Sequence, residues 1–296
     1  MADQPELTDG VVVLRPHGAE AGRQVFTVSH DGQDVGAVSV TEQPDRRGRL
    51  AWELSPGFTG QGYATRALGL VVDHAFRGMA LDRVEALVET DDERGVRVAT
   101  RSGLRREGVL RGHRSAEVGR EDLVVLARLA TDPPTGDPRG NRSLLNSFLP
   151  RKRAIAQMLV RDPDGRVLLC RLTYKDDWDL PGGVVEVNES PQVAVAREVE
   201  EELGLLVAAG ALLLTDWLPP WSGWDDALCL VFDGGVRDAS VVDHAVLQER
   251  EIRSAQFCTR EEVREHCADF TARRIESALV ALAGPGGAAY TESGRR

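Results

Sequence analysis

The segment "GGVVEVNESPQVAVAREVEEELGL", residues 182–205, crowds four glutamates into the five positions 198–202. On a helix, like charges four residues apart repel each other by roughly a few tenths of a kcal/mol per pair. The flanking residues nevertheless favour a helix. Ser190 suits the N-cap, Pro191 suits the first helical position, and Gly204 suits the position after the last turn. We therefore predict a helix over residues 191–203 that carries these crowded charges.

The glutamates are not spread evenly around this helix. At about 100° per residue, Glu198, Glu201 and Glu202 fall within an arc of roughly 100°, whereas Glu200 points away from them. Apolar residues occupy the adjoining arc and are expected to face a core. Taken alone, the three carboxylates fit either a solvated acidic face or an oxygen cage for a hard divalent cation such as Mg²⁺.

The residues around the helix separate these alternatives. They follow the pattern G-x5-E-x7-R-E-U-x-E-E-x-G-U, in which U is a bulky aliphatic residue. Every specified position is matched, by Gly183, Glu189, Arg197, Glu198, Val199, Glu201, Glu202, Gly204 and Leu205. With this pattern the segment resembles the signature box of the Nudix hydrolase family. The resemblance implies a loop–helix–loop on an α/β/α sandwich and attack by water on a diphosphate linkage.

The resemblance also implies a metal site. Its ligands for Mg²⁺, or for Mn²⁺, are the carboxylates of Glu198, Glu201 and Glu202 together with the carbonyl of Gly183. The chemistry is consistent, because a divalent cation bridges phosphate oxygens, stabilises developing charge and lowers the pKa of a bound water.

The implied catalytic residues surround the same ligands. Arg197 and Glu189 form the pair that orients the carboxylates. Glu201 or Glu202 takes the proton of the attacking water. Some members of the family use a glutamate from a later loop, for which Glu249 and Glu251 are the candidates.

Four of the five tryptophans lie in this half of the chain. Indole rings either stack on a nucleobase or serve as core and lid residues, and the sequence leaves both readings open. The residues concerned are Trp178, Trp217, Trp221 and Trp224.

The first half carries a glycine-rich turn, "GFTGQGYATRAL" at residues 57–68, between a strand and a helix. The N–H groups and the dipole at such a helix N-terminus suit a pyrophosphate. Together with "DDERGVRVATRSGLRREGVLRGH" at 91–113, the turn resembles the GNAT acetyltransferases over about residues 8–130, particularly the branch that acetylates protein N-termini. The resemblance implies that the turn binds the pyrophosphate of acetyl-CoA through Thr59, Gly60, Gly62, Tyr63 and Ala64.

This half departs from the GNAT pattern at three points. Thr59 replaces the Arg or Gln that opens the family's R/Q-x-x-G-x-G/A pattern, while the following glycine and alanine match. Asp92 and Gly95 stand where the branch carries Asn-x-x-Ser, so the serine that would act as general acid is missing. Only about eight residues, 17–24, separate the first two predicted strands, where family members place two helices. We expect a curtailed acceptor pocket.

Composition restricts the class of protein. The 296 residues, 42% hydrophobic and 28% charged, supply a core for each of two domains. A net charge of −11 disfavours a general binder of DNA or RNA duplexes. The N-terminus lacks an apolar signal core, and the longest apolar run falls short of the roughly 18–20 residues that span a bilayer. The four cysteines show no C-x-x-C spacing, so we expect buried thiols in a soluble cytoplasmic protein with no membrane partner.

The proline- and glycine-rich segment at 130–143 predicts a domain boundary. We expect a GNAT-like acetyl-CoA-binding domain at 1–130, a linker at 131–150 and a Nudix hydrolase domain at 151–296. Both halves alternate predicted strands and helices, so the fold class is α/β, or α+β in stricter usage, with two mixed sheets covered by helices. The last predicted helix spans about 260–283, and the tail after Gly284 is expected to fray.

Together these features predict a Mg²⁺-dependent hydrolase that cleaves a nucleoside diphosphate linked to another moiety, fused to an acetyl-CoA-binding domain. Two alternatives stay open: an N-acetyltransferase with an accessory Nudix half, and a sensor of two ligands with little turnover. The intact glutamates argue against the sensor hypothesis for the second half. The missing catalytic positions leave that hypothesis open for the first half. The expected ligands are a nucleotide-like diphosphate substrate and acetyl-CoA as a co-substrate.

Overall fold

The computed structural model describes residues 5–20, 22–285 and 287–295. The chain divides between Pro150 and Arg151 into two compact units, each with a mixed sheet and helices, which confirms the predicted fold class. The elements of the first unit are β1 (Leu7–Thr8), β2 (Val13–Glu20), β3 (Arg23–His30), β4 (Gln33–Gln43), β5 (Arg47–Leu54), α1 (Tyr63–Arg77), β6 (Arg83–Glu89), α2 (Glu93–Arg101), β7 (Arg105–Ser115), β8 (Arg120–Leu129) and α3 (Pro138–Phe148).

The sheet of the first unit runs β1-β2-β3-β4-β5-β6-β8-β7, and β5 with β6 is the one parallel pair among its described strands. α1 buries an apolar stripe that includes Leu68, Val71 and Val72 against the core of this sheet. The β5–β6 pairing covers only residues 47–49 and 83–85. After residues 49 and 85, β5 and β6 no longer pair with each other. A cavity lies where their carboxyl ends separate.

β2 and β3 join in a direct hairpin in which Glu20 pairs with Arg23. The described residues between these strands contain no helix. Most of residues 17–24 therefore belong to the strands themselves, and the described part of this segment holds no acceptor-site insertion.

The segment expected as a linker at 131–150 belongs to the first compact unit and is helical over α3. Asp137 is the N-cap of α3, where its carboxylate accepts hydrogen bonds from the N–H groups of Arg139 and Gly140, and Pro138 is the first helical residue. Phe148 packs on the core of the first unit. The proline-rich segment thus contains a helix start, and the division between the two units lies beyond it, between Pro150 and Arg151.

The second unit contains a second eight-stranded sheet among the described residues. A short 3₁₀ helix, Ala239–His244, precedes its later strands. The other elements are β9 (Arg153–Arg161), β10 (Val167–Leu172), β11 (Trp178–Asp179), β12 (Gly182–Val184), α4 (Pro191–Leu203), β13 (Leu212–Leu218), β14 (Ala227–Val236), β15 (Ile252–Cys258), α5 (Arg260–His266), α6 (Asp269–Ala283) and β16 (Ala289–Glu292).

Strand β9 shows how this sheet is covered on both faces. Its alternate residues 156, 158 and 160 enter one core with α4, whereas 155 and 159 enter a second core with α6. This alternation is the two-residue period of a strand buried on both sides. The second unit is therefore the α/β/α sandwich that the sequence predicts.

The C-terminal region differs from expectation in two ways. The predicted helix at 260–283 is two helices, because Cys267 at the end of α5 takes an extended conformation. The tail expected to fray instead forms β16, parallel to β13. It is held by buried Asp216, whose carboxylate accepts hydrogen bonds from Thr291 Oγ1 at 2.7 Å and from Gly294 N–H at 2.8 Å.

All four cysteines are buried free thiols, as predicted. No helix in the described part of the chain combines the length and the apolar character needed to cross a bilayer.

Candidate functional site

Helix α4 has the boundaries predicted from its caps. The Oγ of Ser190 accepts a hydrogen bond from the Val193 N–H at 3.3 Å, and Gly204 ends the helix in the left-handed conformation with φ 66°. Val195 and Val199 are buried in the core, and this packing fixes the rotation of the helix. The acidic stripe consequently faces the short strand β12.

Strand β12 and the acidic stripe fit each other closely. The carboxylate of Glu202, which is only 5% exposed, accepts a hydrogen bond from the Gly182 N–H at 2.9 Å. A Cβ added at Gly183 would lie 2.6 Å from the carboxyl carbon of Glu198. Residue 183 must therefore be glycine for the Glu198 carboxylate to occupy its place against the backbone.

Arg197 is the centre of the acidic cluster. Its guanidinium donates two hydrogen bonds to the carboxylate of Glu189, at 2.9 and 3.0 Å, and one to Glu201 at 2.9 Å. It also forms a 2.9 Å ion pair with Glu198. The hydrogen bonds lower the pKa of Glu189 and raise that of Arg197. Arg197 and Glu189 are thus placed where they can orient the other carboxylates.

The cluster carries a strong excess of negative charge. Burial, together with the neighbouring carboxylates of Glu198 and Glu251, raises the pKa of Glu202 to about 8. Burial is also the main reason why the pKa of Glu198 is raised; Arg197 opposes this shift, and the carboxylates of Glu201 and Glu251 add smaller contributions to it. Of the two later glutamates, Glu251 is the one whose charge acts on both α4 carboxylates.

The carboxylate oxygens of this cluster suit a hard divalent cation. Glu201, however, is 54% exposed and is paired with Arg197. Among the described residues, no three His, Cys, Asp or Glu side chains are arranged to hold a metal as they stand. The carboxylates therefore fit a cation by their chemistry, while Glu201 is paired with Arg197.

A cavity of about 410 Å³ adjoins β12, and Gly182 and Gly183 line it. Aromatic residues lie at its opening: Trp221 is 60% exposed and Trp224 is 59% exposed. The two pair backbone to backbone across a turn, and the guanidinium of Arg153 lies 4.7 Å from the Trp224 ring centroid.

The other two tryptophans have structural partners. Trp178 stacks on His266, and the Trp217 indole N–H donates a hydrogen bond to Asp226. Trp178 and Trp217 thus follow the core reading, and for the exposed Trp221 and Trp224 both readings stay open.

Sequence reasoning missed the polar floor of this cavity. Gln157 of β9, Lys175, Asp179 and Arg274 of α6 line it, and Ser293 does so from the C-terminal segment. No short motif joins these residues, because they are brought together only by the sheet.

The first unit has its own cavity, of about 500 Å³, at the divergence of β5 and β6. Of the five residues expected to bind acetyl-CoA, Thr59, Gly60, Gly62 and Ala64 line it, whereas Tyr63 packs against His30 with ring centroids 4.6 Å apart. Gly62 is the N-cap of α1 with φ 88°, and no side chain among the described residues caps this helix. Its first N–H groups therefore stay available to an anion.

Three arginines of α2 also line this cavity, and the sequence analysis did not single them out. Arg94, Arg97 and Arg101 recur at intervals of three and four residues, which places them on one face of the helix. That spacing is a signal that the sequence carries. The cavity thus combines an uncapped helix N-terminus with a cluster of positive charge.

The residues at the Asn-x-x-Ser positions have a structural role. The carboxylate of Asp92 accepts a hydrogen bond from the Gly95 N–H at 2.8 Å and so caps α2. A Cβ at position 95 would lie 2.2 Å from an oxygen of this carboxylate. A serine at 95 is therefore incompatible with the observed cap.

Comparisons with known proteins place both units. The model of the NUDIX domain matches residues 150–279, and that of the acetyltransferase (GNAT) domain matches residues 7–105. A MutT-like protein of Streptomyces ambofaciens is 46% identical over 59 residues, which are 20% of this chain and 38% of that protein. The nucleoside triphosphatase NudI of Escherichia coli is 34% identical over 93 residues, 30% of this chain and 61% of NudI.

Among solved structures, Mycobacterium smegmatis RimJ in complex with CoA-disulfide is 25% identical, with a TM-score of 0.36. The match covers 42% of this chain and 60% of that one. This chain spans less than two thirds of the length of each of these three relatives.

Proposed function

We propose that this chain, a fusion of an acetyltransferase (GNAT) domain with a NUDIX domain, hydrolyses a nucleoside diphosphate linked to another moiety. The fusion itself confirms what the sequence predicts, and the reaction and substrate are our inference. One observation carries it: the glycine strand β12 supports the acidic groups of α4 and also lines the aromatic cavity. A diphosphate at β12 would reach both.

The reaction follows from the groups around β12. Water attacks one phosphorus, a new P–O bond forms, and the bridging P–O bond breaks, so that the leaving phosphate departs with the bond electrons. Glu201, Glu202 or Glu251 takes the proton of the attacking water. Arg197 positions the carboxylates through its contacts with them.

Mg²⁺ or Mn²⁺, held by Glu198, Glu201, Glu202 and the Gly183 carbonyl, would stabilise charge on the phosphate oxygens and lower the pKa of a bound water.

The nucleoside would occupy the 410 Å³ cavity. Exposed indole rings at its mouth favour a flat heterocycle, because base–aromatic stacking stabilises binding by about 1–3 kcal/mol per base. The similarity of this chain to a MutT-like protein and to the nucleoside triphosphatase NudI supports a nucleotide substrate.

The hydrolase proposal is tested with the purified chain and a panel of diphosphate compounds. The panel holds nucleoside triphosphates, ADP-ribose, dinucleotides, sugar nucleotides and coenzyme A. We expect phosphorus-containing products from at least one compound with Mg²⁺ and none after the metal is chelated. No turnover of any compound, with Mg²⁺ binding demonstrated by calorimetry, would remove the proposal.

We further propose that the first unit binds acetyl-CoA in its 500 Å³ cavity. The uncapped N-terminus of α1 suits the pyrophosphate, and the α2 arginines supply positive charge for the phosphates. Because Asp92 and Gly95 replace the family's Asn-x-x-Ser, this proposal concerns binding, and transfer of the acetyl group needs another acid.

Arg97→Ala is expected to weaken acetyl-CoA binding about 10-fold, since a hydrogen bond between charged groups is lost. Isothermal titration calorimetry measures it. Arg106→Ala is the matched control, because Arg106 is exposed on β7 away from the cavity residues. If the unaltered chain does not bind acetyl-CoA, the proposal is wrong. If Arg97→Ala and Arg106→Ala bind acetyl-CoA equally well, the α2 arginine has no role in binding.

A further inference from the structure

The floor of the NUDIX cavity is a buried polar network around Arg274, which is 2% exposed. Its Nε donates to the carboxylate of Asp216 at 2.9 Å, and its Nη1 donates to Gln157 Oε1 at 3.0 Å. Gln157 Nε2 in turn donates to Asp179 at 2.8 Å, and Lys175 donates to the other oxygen of that carboxylate. The network fixes the guanidinium in position and orientation.

One nitrogen of this guanidinium, which carries two N–H donors, is unused. Nη2 of Arg274 is buried and has no hydrogen-bond partner among the described residues. A buried guanidinium nitrogen without a partner loses the hydration it has in water, and native proteins rarely leave such a group unsatisfied. Arg274 lines the cavity, so a ligand can supply the acceptor for Nη2 if the groups that cover this atom shift.

The charges of the network indicate what kind of acceptor fits. Arg274 and Lys175 carry two positive charges, and Asp216 and Asp179 carry two negative charges. The four balance within the network, so there is no excess positive charge for a further phosphate. A neutral oxygen with free lone pairs, such as a carbonyl, satisfies Nη2 without adding a charge to the buried floor.

The aromatic walls of the cavity favour a flat molecule as the ligand that carries this carbonyl. Trp221, Trp224 and Phe270 line it, and the Arg274 guanidinium lies 5.6 Å from the centroid of the Phe270 ring. A heterocycle that stacks on one of these rings can present its edge to the floor. Ring carbonyls of nucleobases lie at that edge.

We propose that Nη2 of Arg274 donates a hydrogen bond to a keto oxygen of the substrate's nucleobase, so that this unit favours 6-oxopurines and 4-oxopyrimidines over the corresponding amino bases. The inference rests on the proposed function for the location of the substrate. An amino group at the same ring position would oppose one N–H donor to another. The C-terminal segment takes part indirectly, because Thr291 and Gly294 hold Asp216, which holds Arg274.

The test uses pairs of nucleotides that differ at this ring position. ITP is compared with ATP, and UTP with CTP, as ratios of kcat/KM. We expect the oxo member of each pair to be favoured about 10-fold or more, and Arg274→Lys to bring both ratios close to one. Lysine keeps a positive charge near Asp216 but removes Nη2. The ratios do not depend on the fraction of folded protein, so a merely destabilised variant retains them.

Arg264→Lys, at an exposed position of α5, is the control and should keep both ratios. Binding of the monophosphates is measured in parallel by calorimetry, IMP against AMP and UMP against CMP, with about 10-fold tighter binding of the oxo member expected. Equal turnover of all four triphosphates overturns the base preference and leaves the hydrolase standing. If none of the triphosphates is hydrolysed but the monophosphates bind with the expected difference, triphosphate hydrolysis is overturned and the base contact is supported. Equal or absent binding of the monophosphates, or a preference that persists in Arg274→Lys, overturns the inference.

Discussion

Glu202→Gln is expected to lower kcat for diphosphate hydrolysis by about 10²–10⁴-fold, the range for loss of a catalytic acid–base group. The amide has nearly the same shape and still accepts the Gly182 N–H bond through its oxygen. It cannot take a proton from water or carry the negative charge that a divalent cation requires. Steady-state kinetics at saturating Mg²⁺ measures the effect.

Two comparisons make this result specific. Glu200→Gln removes the same charge from an exposed position of the same helix and should retain activity. Because burial and neighbouring carboxylates raise the pKa of Glu202 to about 8, its ionised form is disfavoured in the fold. The Glu202→Gln protein should therefore have a Tm equal to or above that of the unaltered chain. Equal activity of the two glutamine variants contradicts a catalytic role for Glu202.

Gly183→Ala is expected to abolish most of the hydrolysis while leaving the fold intact. The new Cβ would lie 2.6 Å from the carboxyl carbon of Glu198, so this carboxylate has to move. It is the end of a flexible side chain, and its displacement should alter stability little. We expect a loss of about 10²-fold or more in kcat/KM, as for misplacement of a catalytic group by about 1 Å.

Gly287→Ala provides the control for this substitution. A Cβ at position 287 meets no atom within 4 Å, and its activity should be unchanged. Thermal unfolding of both variants separates a moved carboxylate from a damaged domain. Full activity of the Gly183→Ala variant would contradict the proposed role of the contact between Gly183 and Glu198.

The parts of the site that the sequence predicts are those with local signals. The boundaries of α4 follow from Ser190, Pro191 and Gly204, each of which acts within one helical turn of its position. The alignment of the acidic stripe follows from the helical period. The ion pairs of Arg197 lie within eight residues of it along the chain.

The cavity floor could not be predicted in this way. Arg274 meets Asp216 and Gln157 across 58 and 117 residues of chain, and Asp216 meets Thr291 across 75. No periodicity or spacing encodes such pairs, since they depend on the strand order of the finished sheet. The same reason accounts for β16, because its polar and glycine-rich surroundings predict a frayed tail and its partners lie in β13.

In the first unit, the α2 arginines were absent from the prediction although the sequence carries a local signal for them. The arginines of α2 have a helical spacing that the sequence displays. The prediction nevertheless named only residues of the glycine turn, which form one side of the cavity. Only the unpaired ends of β5 and β6 bring α2 and the turn to the same opening.

The central claim, that water attacks a diphosphate at the α4 carboxylates, is tested most directly by turnover in H₂¹⁸O. The compound that the panel identifies is incubated with Mg²⁺, and the products are weighed by mass spectrometry. We predict that each turnover places one ¹⁸O in one phosphate-containing product, and that Glu202→Gln forms this labelled product far more slowly than Glu200→Gln. Product without ¹⁸O in a phosphate, or labelling that proceeds equally in both variants, would contradict the account.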